Sequence, residues 1–196
     1  RNSCAGPELG IRTSPSIALF GEPFDWTITG LQPGERVTLK AVSRDAARVT
    51  WASEAVFEAD AAGVVEVGRR APVSGSYLEA DIFGLLWSSN PMDSPSKAPI
   101  AYRENGTAGW TVDLAAIDSS GRKATARFRC VFQKPEEPLV RIPLEKDGLS
   151  GFLYYPAEGG PFPGLLLLGG SEGGLSETRA RAFASHGFPA LTLAYF

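Results

Sequence analysis

The chain has 196 residues, 43% of them hydrophobic and 21% charged, with a formal net charge of −3. That length leaves room for one large domain, or one ordinary domain and part of another. Acidic and basic residues are interspersed, so there is no basic face for nucleic acid or an anionic membrane, and neither is expected as a partner. No apolar stretch approaches the roughly 18 residues of a membrane span.

Residues 1–136 read as all-β. Pro23–Gly34 and Arg36–Val42 are two strands joined by the turn Gln32-Pro-Gly. Thr50–Ala59 places Trp51, Ala55 and Phe57 on one face, and Asp60-Ala-Ala-Gly63 turns the chain into Val64–Val67. Gly109–Ile117 and Lys123–Phe132 flank the turn Asp118-Ser-Ser-Gly121. Ala126, Phe128, Cys130 and Phe132 share one side of the second of these strands, the alternation of a half-buried antiparallel strand. About six or seven short strands with no helix among them predict an immunoglobulin-like β-sandwich. The apolar run Ile82–Trp87 reads as packing, with a ligand groove as the alternative.

Gln133-Lys-Pro-Glu-Glu-Pro138 is a polar, proline-marked boundary, which sets the expected domains at 1–136 and 137–196. Beyond it, Leu139–Glu145 and Leu149–Tyr155 form a hairpin around Lys146-Asp-Gly. Leu165–Leu168 is a run of leucines too short for a helix and expected to be buried on both sides, as in a central parallel strand. After the loop Gly169-Gly-Ser-Glu-Gly-Gly174 comes a helix with Ser176 as N-cap, an apolar stripe of Ala180, Phe183 and Ala184, and Gly187 as its stop. Phe188–Tyr195 is the next strand. Hairpin, strand, glycine-rich loop, helix and parallel strand make the opening of a doubly wound sheet.

The glycine-rich loop is where chemistry could reside. It has neither GxGxxG nor a closing Gly-Lys-Ser/Thr, which argues against a phosphate cradle. Two readings stay open: a tight strand–helix connection, or an oxyanion loop in which a backbone N–H meets a substrate carbonyl. Gly169-Gly-Ser171-Glu-Gly173 matches Gly-x-Ser-x-Gly literally. However, the helix starts too late for a sharp nucleophile elbow, and no aspartate lies between Ser171 and His186. His186, the only histidine, sits at the end of the predicted helix and reads as structural. One histidine and no CxxC spacing leave no expected metal site, and no cofactor is expected. Cys130 reads as a core residue, with a Cys4–Cys130 disulfide as the alternative. Two cysteines are no disulfide framework, which favours a cytoplasmic location; a chain starting at Arg1 reads as processed, which leaves export open.

Three stretches resemble the acyl-CoA thioesterase and bile acid-CoA:amino acid N-acyltransferase family: Thr29–Leu39, Gly84-Leu-Leu-Trp-Ser-Ser89, and the tail from Gly151 to Tyr195. The resemblance implies a β-sandwich followed by an α/β-hydrolase domain that is truncated here. It implies an acyl-CoA thioester substrate and a Ser (or Cys), Asp and His triad lying downstream of Phe196. Only the oxyanion loop would then fall within the chain, at Gly170, Ser171 and Glu172. The parent protein would be a serine hydrolase, this chain alone would be inactive, and the remainder of its own hydrolase domain would be its partner. A non-catalytic β-sandwich binding module and a dienelactone-hydrolase-like esterase are the alternatives.

Overall fold

The structure, a computed structural model, describes residues 7–92, 109–146, 148–170 and 173–194. It is mainly β, with several sheets. The chain divides into two compact units. The first takes in Arg1–Ala18, Pro23–Asn105 and Trp110–Arg129; the second takes in Leu19–Glu22, Gly106–Gly109 and Cys130–Phe196.

Up to the boundary the strands are β1 (Gly10–Ser14), β2 (Ile17–Leu19), β3 (Asp25–Thr29), β4 (Arg36–Arg44), β5 (Thr50–Glu58), β6 (Val65–Glu66), β7 (Ser74–Gly75), β8 (Asn90–Pro91), β9 (Trp110–Asp118) and β10 (Lys123–Val131). One sheet runs β1-β3-β6; the other runs β2-β10-β9-β4-β5-β7, with β8 also on β5. Alternation explains the long strands. Val37, Leu39 and Ala41 of β4 are buried, as are Ala55 and Phe57 of β5 and Leu114 and Ala116 of β9. The two sheets meet through aromatics. Trp26 of β3 stands edge-on to Phe128 of β10 with ring centroids 5.6 Å apart, and Phe24 lies 4.4 Å from the same ring.

The turn Asp118–Gly121 is found where expected, and its chemistry reaches further than the spacing indicated. The Asp118 carboxylate accepts from the Ser120 N–H at 2.9 Å, the Arg122 N–H at 2.8 Å and the Arg122 Nε–H at 2.5 Å. Arg122 also donates to the carbonyls of Pro7 at 2.9 Å and Gly30 at 3.1 Å. Burial works to raise the Asp118 carboxyl, but these hydrogen bonds and the guanidinium charge outweigh it and leave it below its ordinary value.

Two expectations for this part are corrected. Among the described residues ten strands precede residue 137 rather than six or seven, because β1, β2 and β6–β8 are only two to five residues long and carry too little alternation to read. A one-turn helix, α1 (Gly84–Trp87), also occupies a stretch expected to hold no helix. Of the run expected to pack, Leu85 is buried, but Trp87 is 61% exposed. Its Nε1–H donates to Asp81 Oδ2 at 2.7 Å and its ring stands edge-on to Tyr77, so the indole has a polar anchor at the surface.

In the second unit, β11 (Leu139–Lys146) and β12 (Leu149–Pro156) form the expected antiparallel hairpin. β13 (Leu165–Leu168) and β14 (Ala190–Ala194) are parallel, joined by α2 (Glu177–Ser185). The sheet order is β11-β12-β14-β13. Ala180 and Ala184 of α2 pack on Tyr154 and Ala190, with Phe152, Leu165 and Leu167 around them. Alanine on the helix lets it approach the sheet closely.

Here too the structure departs from the sequence reading. Leu165–Leu168 is not buried on both sides, since Leu166 is 57% and Leu168 51% exposed. Within this chain α2 covers only one face of β13. Phe183 is half-exposed rather than part of the helix's buried stripe, because only the alanines point at the sheet. Cys130 is a buried free thiol, pushed up to about 11 by desolvation, while Cys4 lies outside the described residues. Among the described residues no helix is long and apolar enough to cross a membrane.

Candidate active-site loop

The loop from β13 to α2 is built by glycine at its entry and by a threonine at its exit. The Leu165 N–H donates to the Pro189 carbonyl at 2.7 Å, fixing the start of β13. At the end of that strand the chain folds back on itself. A Cβ on Gly169 would lie 2.9 Å from the Gly173 carbonyl oxygen, closer than real Cβ atoms come, and 3.1 Å from that of Gly174, tighter than most real contacts. Gly173 and Gly174 have φ of +66° and +82°, which favours glycine. The Gly173 N–H closes the turn onto the Gly170 carbonyl at 3.0 Å. Gly170 is exposed, and nothing lies within 4 Å of where its Cβ would be. Ser171 and Glu172, the other two residues expected in an oxyanion loop, lie outside the described residues.

At the exit, Ser176 is the N-cap residue of α2, as expected, yet its hydroxyl makes no capping hydrogen bond. Its N–H donates instead to Thr192 Oγ1 at 2.8 Å. Thr192 is fully buried on β14, so a hydroxyl inside the sheet holds the beginning of the helix.

The next residue, Glu177, joins a polar cluster around the buried Tyr154. The Tyr154 hydroxyl donates to Glu177 and accepts from Arg141 Nε at 2.8 Å and from an Arg181 nitrogen at 3.4 Å. Arg141 Nε also lies 3.5 Å from the Glu177 carboxylate, and its guanidinium stacks 3.5 Å above the centre of the Phe152 ring. Burial, then the hydrogen bond to the Glu177 carboxylate, holds the phenol above its usual value. Tyr154 therefore stays protonated and serves as a fixed hydroxyl between three charged groups. The sequence reading missed Thr192, Tyr154 and Arg141. A lone threonine in an apolar strand and a tyrosine on the helix-facing side of β12 were the available signals.

His186 is at the C-cap of α2, where a structural role was expected. Its Nε2 lies 2.7 Å from the Phe20 carbonyl oxygen, which ties the helix end to the short segment Leu19–Glu22. In that segment Lys134 Nζ pairs with Glu22 at 3.0 Å. Among the described residues, no group of three or more His, Cys, Asp or Glu side chains gathers to hold a metal ion.

A two-part β chain whose second part ends in a strand, glycine loop, helix and parallel strand has identifiable relatives. Residues 21–136 match the family model described as the acyl-CoA thioester hydrolase/BAAT N-terminal region. Acyl-coenzyme A thioesterase 6 of Mus musculus is 33% identical over 182 residues, covering 90% of this chain and 42% of the relative. Acyl-coenzyme A amino acid N-acyltransferase 2 of Mus musculus is 33% identical over 195 residues, covering 93% of this chain and 44% of the relative. The mitochondrial acyl-coenzyme A thioesterase 2 of Rattus norvegicus is 29% identical over 208 residues, covering 99% of this chain and 44% of the relative. The chain belongs to the acyl-CoA thioester hydrolase/BAAT family. It spans less than half the length of these relatives.

Proposed function

We propose that this chain is the leading part of an acyl-CoA thioester hydrolase, with residues 1–136 as a β-sandwich and 137–196 as the opening of an α/β-hydrolase domain. The observation that supports this most is the order β11-β12-β14-β13, an antiparallel hairpin leading into a parallel pair with the glycine loop at the C-terminal end of β13. Ligands of open α/β sheets bind at that end of the strands. The loop at Gly170, Ser171 and Glu172 then offers backbone N–H groups to the oxyanion formed when a nucleophile attacks the thioester carbonyl. That nucleophile, a serine with its Asp and His, comes from polypeptide beyond residue 196; Ser171 is not the nucleophile, and the 196-residue chain has no turnover of its own. Attack forms the Ser Oγ–acyl bond and breaks the C–S bond, CoA leaves as the thiol, and water then releases the acid.

The experiment is hydrolysis of acyl-CoA by the full encoded protein, set against simple esters of the same acids. Saturable cleavage of the thioester but not the ester is the expected result. Equal cleavage of both would point to a general esterase. The similarity to an amino acid N-acyltransferase gives a second reading, acyl transfer to an amino acid. Adding glycine or taurine as acceptor separates the two, since transfer yields an amide and hydrolysis the free acid. A cytoplasmic location is part of the proposal, and cell fractionation tests it.

A further inference from the structure

Thr192 is the one polar residue of β14, set between Leu191 and Leu193 and fully buried. A buried hydroxyl costs free energy unless it is hydrogen-bonded, and valine, of nearly the same shape, would serve an apolar strand as well. Strand packing therefore does not account for the hydroxyl; its partner does, the Ser176 N–H at 2.8 Å. β-Branching restricts rotation of the threonine side chain, so its oxygen is a fixed point on the sheet. Thr192 shares with Ala190 the side of β14 on which α2 packs.

The loop that this bond terminates has little to hold it in place by itself. Four of the six residues in Gly169–Gly174 are glycine, which loses the most conformational freedom on ordering. An internal hydrogen bond, from the Gly173 N–H to the Gly170 carbonyl, closes the turn. The near end of the loop leaves from β13, and its far end is held at two successive residues. Ser176 is tied by Thr192 through its backbone, whereas Glu177 is tied by Tyr154 and Arg141 through its carboxylate. Thr192 thus sets where the main chain itself leaves the loop.

We propose that Thr192 is a positioning residue for thioester cleavage: by holding the Ser176 N–H it fixes the main chain of Gly169–Gly174, so that the loop's N–H groups meet the oxyanion. This rests on the functional reading above. Oxyanion donors work by being aimed beforehand at where charge develops, and a displacement of about 1 Å can cost roughly 100-fold in rate. The thioester carbonyl of the bound substrate carries little of that charge and draws less on the donors. Loss of position should therefore appear in kcat and not in KM.

The test compares the full encoded protein with its Thr192→Val and Thr192→Ser variants on a long-chain acyl-CoA. Thr192→Val should lower kcat at least about 10-fold and change KM less than about 2-fold, while Thr192→Ser, which keeps the hydroxyl, should restore most of kcat. Inhibition by a long-chain alkyl trifluoromethyl ketone, whose adduct with the nucleophile carries the oxyanion, should weaken by the same factor as kcat. Binding of the unreactive S-alkyl-CoA thioether should not change. Phe24→Leu, a core change in the first unit, is the stability control and should leave kcat within about 2-fold. In the 196-residue chain, hydrogen exchange at the Gly173 amide should speed about 10-fold in Thr192→Val and slow again in Thr192→Ser. A wild-type kcat in Thr192→Val would overturn the proposal, as would a loss that Thr192→Ser does not rescue or Gly173 exchange that ignores the hydroxyl. A full encoded protein that leaves acyl-CoA intact would sink the functional reading instead, and Gly173 exchange would then still decide whether Thr192 holds the loop.

Discussion

In the first unit, the Phe128 ring meets Trp26 of the facing sheet and Phe24 just before it, and the inward apolar residues of β3, β4, β5 and β9 are buried, most of them below 5% exposure. In the second, Tyr154, Ala180, Ala184 and Ala190 make a core on one side of the sheet while Leu166 and Leu168 stand in solvent on the other. The difference is the number of layers: antiparallel sheets can leave one face wet and alternate accordingly, whereas a parallel pair calls for cover on both faces. Four consecutive leucines are thus a statement about neighbours as much as about the strand itself.

Mutations can break this comparison. The largest effect is expected at Phe128→Ala, which removes a ring touching two others and should cost about 3–5 kcal/mol in urea unfolding of the chain. A cost under about 1 kcal/mol would mean that the first unit's core is not closed as described. Asp118→Asn should lower the thermal midpoint at neutral pH and flatten the acid limb. The folded carboxyl lies below its unfolded value, so its contribution is full above the ordinary carboxylate range and is lost as pH falls through the folded value. An unchanged limb below about pH 4 would contradict that.

In the second unit the effects shrink. Thr192→Val should cost roughly 1 kcal/mol and speed hydrogen exchange at the Ser176 amide, while Thr192→Ser restores protection by keeping the hydroxyl. Leu166→Ala in the 196-residue chain should change stability by less than about 0.5 kcal/mol. A loss of 2 kcal/mol or more, roughly what a buried leucine gives, would show that the second face is already covered.

Strands with strict alternation were legible in the sequence, and β4, β5, β9 and β10 fall close to where their patterns put them. The helix start at Ser176 was legible too, and Gly187, with φ of +83°, follows the C-cap. What sequence alone could not give were features set by tertiary partners. The two-residue strands β6–β8 exist only through what they pair with. Trp87 lies at the surface because Asp81 holds its indole. Leu166 and Leu168 are open because exposure depends on what packs above a strand, which its own residues do not encode. At the candidate loop, the glycines left a tight strand–helix connection and an oxyanion loop both open, and the close approach of Gly169 to Gly173 and Gly174 shows why glycine is needed there under either. The threonine that anchors its exit is sixteen residues further along the chain, beyond the reach of any local pattern.

If, as proposed, the loop after β13 is an oxyanion loop and the triad comes from elsewhere in the polypeptide, the purified 196-residue chain is inactive. The direct test is release of free CoA thiol from a long-chain acyl-CoA by the purified 196-residue chain, followed with a thiol reagent and corrected for Cys4. Release no faster than in buffer is the expected result. Saturable release from the chain alone, abolished by Ser171→Ala, would contradict it and place the nucleophile in the glycine loop.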